Sequence, residues 1–140
     1  MELVTNILAI GALGFCALLG LGSLFVPQWA AGVVRLSADP DPSRPGGFSE
    51  FRATYGGLLF MLHMTVLVVM LIPGEDLHLR FKIFALFPVA MAWIGAGFGR
   101  TVSLILDGAH NRSAGLIPVW IPLEIALGLA IASPVLQLAV

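Results

Sequence analysis

The chain alternates between long apolar runs and short polar ones. Residues 3–26 and 53–72 carry no charged side chain, 83–106 carry only Arg100, and 116–140 carry only Glu124. Crossing the hydrocarbon of a bilayer takes about 20 apolar residues in a helix. With no water to satisfy the backbone, only helices or closed barrels cross, and these runs are continuous rather than alternating. The pattern therefore predicts an all-α membrane protein. It is expected to be a four-transmembrane-helix bundle, one integral membrane domain over 1–140 with helices at about 3–26, 50–72, 81–106 and 116–139.

The residues between the runs supply the punctuation. Pro27 is expected to end the first helix, and 28–36, with Trp29, Val33 and Val34 against Arg35, reads as a short interfacial helix in the first loop. The stretch from Asp39 to Gly47 holds three prolines and reads as a stiff linker, after which Ser49 can cap the second helix. Pro73-Gly74 ends that helix, and Asp107-Gly108 ends the third, which contains Pro88. Pro118 and Pro122 fall at the start of the fourth, where a missing donor costs least. Small residues at Ala9, Ala12, Cys16, Gly20 and Ser23 form one stripe on the first helix, and Gly95 and Gly99 form a GxxxG pair on the third. The segment ahead of the first run, Met1-Glu2-Leu3, is acidic and the run is long for a signal sequence, so the first helix is expected to be retained.

Composition agrees with the lipid setting. Hydrophobic residues make up 59% and charged residues 11%, against roughly 45–50% and about 25% in ordinary globular chains; the mean hydropathy is +0.99. A net charge of −1 excludes a nucleic-acid binder that depends on a basic field. Cys16 is the only cysteine, and no metal-ligand spacing, phosphate loop, nucleophile elbow or dinucleotide fingerprint is present. No metal site and no catalytic residue are assigned.

Candidate chemistry lies in the few polar groups inside the runs. If the helices alternate in direction, Arg52, Arg100, Asp107 and Glu124 come to one side of the membrane. At 1.5 Å per residue, Arg100 lies roughly 10 Å inside Asp107 and Glu124 roughly 12 Å inside residue 116. An unpaired charge at mid-helix costs about 2.5–3.5 kcal/mol on insertion scales, so Arg100 and Glu124 are expected to pair. Helical phase places His63 on one face with Arg52, Tyr55, Gly56 and Leu59, recurs from Trp93 to Arg100 to Asp107 with Ser103 near, and aligns Glu124 with Gly128 and Ile131. The candidate ligand-binding set is thus Arg52, Tyr55, His63, Trp93, Arg100, Ser103, Asp107 and Glu124. His63 reads as a neutral histidine bonded to a neighbouring helix, or as a proton relay.

Two stretches resemble signatures of a bacterial family of small four-helix membrane proteins known only as a domain of unknown function: Ser49-Glu50-Phe51-Arg52-Ala53-Thr54-Tyr55-Gly56-Gly57, and Gly99-Arg100-Thr101-Val102-Ser103-Leu104-Ile105-Leu106-Asp107-Gly108. The resemblance covers most of the chain and implies the same layout, including a Glu in helix four, but no activity. In helix count alone the chain is similar to DoxX-type proteins, some linked to quinone or thiosulfate oxidation.

Three functions stay open. One is a binding or scaffold protein, its Arg52, Arg100 and Glu124 either structural or holding a lipid or quinone-like head group, with no other cofactor. Another is a membrane enzyme or redox-complex subunit moving protons through Tyr55, His63, Asp107 or Glu124. The third is an ion or small-solute pathway, which four helices would form only as an oligomer. Expected partners are the lipid bilayer and further copies or a larger membrane complex, at the cell inner membrane as a multi-pass protein. The positive-inside rule leans to cytoplasmic 27–50 and 107–115 with periplasmic termini.

Overall fold

The computed structural model of the chain describes residues 2–34, 51–73, 79–106 and 117–139, and of Ser103, Leu106, Ile117, Pro118 and Ala139 the backbone alone. Nearly all of these residues are helical, and none is in a strand. Helix α1 spans Glu2–Phe25 and α2 spans Pro27–Val34. Helix α3 spans Arg52–Leu71, wound as a π-helix over Arg52–Leu58 and as an α-helix over Leu59–Leu71. Helix α4 spans Leu79–Leu106. Helix α5 spans Ile117–Ala132 and tightens into a 3₁₀-helix over Ser133–Ala139. Four helices, α1, α3, α4 and α5 with its extension, are long and apolar enough to cross a membrane.

Several boundaries differ from expectation for local reasons. Pro27 does end α1, but it also starts α2 one residue later, since a proline suits the first helical position. Helix α4 begins at Leu79, ahead of the expected 81. Pro122 is the sixth residue of α5, in its second turn, within the first turns expected. The 39–47 linker, the Ser49 cap, Arg35 and Leu36, the 74–78 connection and the turn at 107–116 lie outside the described residues.

The chain divides into two compact units, residues 13–68 and residues 1–12 with 69–140. Within the first unit, α1 and α3 approach at backbone distance. A Cβ on Gly20 would sit 2.5 Å from the Phe60 nitrogen, and one on Gly56 would sit 2.8 Å from the Leu24 Cα. Only glycine permits that separation. The small stripe on α1 is buried as expected: Ala9, Ala12, Cys16, Gly20 and Ser23 all face inward, and Thr5 extends it by one turn. Helix α2 buries Ala30 and Ala31 against Phe51 and leaves Trp29 half exposed.

Within the second unit, α4 packs along α5. Gly97 and Gly128 make this approach possible: a Cβ on Gly128 would lie 2.7 Å from the Ala90 carbonyl oxygen, and one on Gly97 would lie 3.2 Å from that of Ile121. Gly95 and Gly99, the GxxxG pair, instead face open space. On these two helices Leu86, Ala90 and Ile131 are fully buried.

Candidate functional site

The Arg100–Glu124 pair forms as expected. Arg100 Nε donates to both carboxylate oxygens of Glu124, at 2.8 Å to Oε1 and 2.9 Å to Oε2. Glu124 is 3% exposed, while the Arg100 side chain keeps 32% of its surface. Close packing explains the geometry. Gly97 lies one turn before Arg100 and Gly128 one turn after Glu124, and both let the helices come near enough for one N–H to reach both oxygens. Glu124 shares its buried face with Gly128 and Ile131, the face its spacing implied. A guanidinium has five N–H donors. The other four, on the two Nη groups, have no partner among the described residues.

Arg52 serves a different end. Its Nη1 donates to the carbonyl of Leu24, in the last turn of α1. Such carbonyls have no partner within their helix, and a cation there also meets the negative end of the helix dipole. Lys82, in the first turn of α4, does the same for α3: its Nζ lies 2.5 Å from the Ile72 carbonyl and 3.5 Å from that of Met70. Arg52 thus caps α1 through one of its five donors.

The shared face expected for Arg52, Tyr55 and His63 does not form. Over Arg52–Leu58 the backbone bonds run i to i+5 instead of i to i+4, which rotates the positions before Gly57 relative to those after it. Arg52 and Tyr55 are exposed, whereas Gly56 and His63 are buried. Tyr55 stacks on Phe51, ring centres 4.7 Å apart and planes 20° from parallel.

His63 is 1% exposed. Its Nδ1 lies 2.6 Å from the Leu59 carbonyl oxygen, which can only accept, so Nδ1 carries the proton of this bond. The bond runs back one turn along its own helix. Trp93 is half-buried on α4, Ser103 is placed by its backbone alone, and Asp107 lies outside the described residues. Among the described residues no three of His, Cys, Asp and Glu converge.

A second polar group escaped the sequence analysis. Gln137 Nε2 donates to Thr5 Oγ1 at 2.7 Å and to Asn6 Oδ1 at 2.9 Å. Thr5 Oγ1 donates in turn to the Glu2 carbonyl at 3.0 Å. Ser133 Oγ shares its one proton between the carbonyls of Thr5, at 2.9 Å, and Ala130, at 2.8 Å. These bonds tie the 3₁₀ extension of α5 to the first turns of α1. The available signal was that Thr5, Asn6, Ser133 and Gln137 interrupt the two ends of otherwise apolar runs.

Comparison of the chain with family models, curated proteins and solved structures found no match.

Proposed function

We propose that this chain is a multi-pass protein of the bacterial inner membrane, its four long helices crossing as a bundle, with a binding or scaffold role centred on Arg100 and Glu124. One observation carries this reading. A carboxylate that is 3% exposed is neutralised by a single N–H of an arginine that remains 32% exposed. A pair serving helix register alone needs no more than that contact. Here four further donors are left over among the described residues, in a span where hydrogen-bond acceptors are scarce. A lipid or quinone-like head group supplies what they lack. The resemblance of the segments around Arg52 and Arg100 to a small bacterial membrane family supports the same location, and that membership is part of the proposal.

The test has two arms. Membranes washed with alkaline carbonate are expected to retain the chain; release into the wash removes the membrane assignment. Native mass spectrometry of gently extracted protein is expected to show a lipid-sized adduct on the wild type and none on Arg100→Met/Glu124→Leu, which keeps the helices paired without the polar atoms. No adduct in any detergent ends the binding role.

A further inference from the structure

We infer that the Arg100–Glu124 site takes a neutral head group bearing a carbonyl acceptor, a quinone ring or a lipid ester, and rejects a phosphate. The inference rests on the reading of this pair as a binding centre and adds the class of ligand. Both carboxylate oxygens of Glu124 lie within 2.9 Å of Arg100 Nε, so the arginine charge is already cancelled at the point of contact. An arriving phosphate would meet the Nη donors together with a carboxylate of its own sign, in surroundings that screen little. A neutral carbonyl oxygen accepts from the same donors without that opposition. Charge balance therefore separates two ligand classes that the bare presence of an arginine would not.

The flank of α4 leaves room for a tail. Ala92, Gly95, Ala96 and Gly99 are all exposed, at the spacing of one helix face, with Ala96 one turn before Arg100, and a Cβ added at Gly95 or Gly99 would meet nothing within 4 Å. This strip accommodates an alkyl or isoprenoid chain; the choice of head group rests on the ion pair.

The experiment incubates detergent-purified full-length protein with decylubiquinone, monolaurin or dodecyl phosphate at equal concentration and reads the bound fraction by native mass spectrometry. Wild type is expected to retain decylubiquinone or monolaurin at least about tenfold better than dodecyl phosphate, the scale of one charge-assisted hydrogen bond. The two neutral probes tell the quinone source from the ester source. Glu124→Gln, which uncovers the arginine charge, is expected to invert the order in favour of the phosphate. Arg100→Lys keeps the pair but loses the planar donors, and is expected to lose the neutral probe by about tenfold, so the inference stays testable if Glu124→Gln does not fold. Equal or better retention of dodecyl phosphate by the wild type overturns the inference, and so does retention of none of the probes. An Arg100-dependent co-purified adduct persisting in either case would leave the binding centre standing and remove only the carbonyl class.

Discussion

Gly128 faces the backbone of Ala90 so closely that a Cβ built on it would lie 2.7 Å from the Ala90 carbonyl oxygen and 2.6 Å from Ile94 Cγ1. Helix association in lipid depends on such close approaches, because the tails compete equally for apolar surface. Gly128→Ala is therefore expected to force α4 and α5 apart and lower the unfolding temperature in detergent, by the equivalent of about 1–3 kcal/mol for overpacking. Gly95→Ala, into open space, is expected to be neutral or to gain up to about 1 kcal/mol from helix propensity. Equal losses in the two variants would show that the packing at Gly128 is not what holds the pair.

The ion pair makes a prediction about coupling. Glu124→Leu alone leaves Arg100 uncompensated and is expected to cost about 2–3 kcal/mol, toward the low end for buried pairs because Arg100 is one-third exposed. Arg100→Met alone strands a carboxylate that is 3% exposed and is expected to cost at least as much. The double variant Arg100→Met/Glu124→Leu removes both charges and is expected to recover most of the loss, which a double-mutant cycle of thermal unfolding reads directly. Strict additivity of the single losses would mean that the two side chains act independently.

How legible these features were in the sequence follows from their physics. The four long helices were readable because a spanning run needs about 20 apolar residues, and such a run leaves a mark no short-range effect erases. The Arg100–Glu124 contact was readable because two lone opposite charges in apolar runs have few other ways to be satisfied. The face shared by Arg52 and His63 failed because phase was carried through Gly56-Gly57 at a uniform helical pitch, and the π-helical turn there breaks it. Arg52 itself pairs with a backbone carbonyl, and no pattern of side chains announces such a partner. The cluster around Gln137 is built from short uncharged groups, which hydropathy registers only as a slight dip.

That cluster should hold down the ends of the second unit. Gln137→Leu removes two hydrogen bonds while keeping a side chain of similar size. Bonds of this kind within membranes average about 0.6 kcal/mol each, so a loss of about 1 kcal/mol is expected. The sharper readout is local: amide exchange in residues 2–6 and 133–137 should accelerate while that of residues 86–97 stays unchanged. Acceleration spread evenly over all of them would mean that Gln137 supports the unit globally instead of tying its ends.

The two cationic caps give the last prediction. Arg52 and Lys82 each sit in the opening turn of one long apolar helix and donate to carbonyls at the end of the long apolar helix before it. Lys82→Met preserves the aliphatic stem, which can still lie along apolar surface, and removes only the donor and the charge. The expected cost is about 1 kcal/mol, the sum of a cap bond and a dipole contact, confined to fraying at residues 70–72. Arg52→Met is expected to fray residues 22–25 in the same way. Arg52→Lys should restore most of the protection, because a cap asks for a donor and a positive charge but not for a planar fork. Were Arg52→Lys as damaging as Arg52→Met, the guanidinium shape itself would matter, and Arg52 would have to be recognising something other than a helix end.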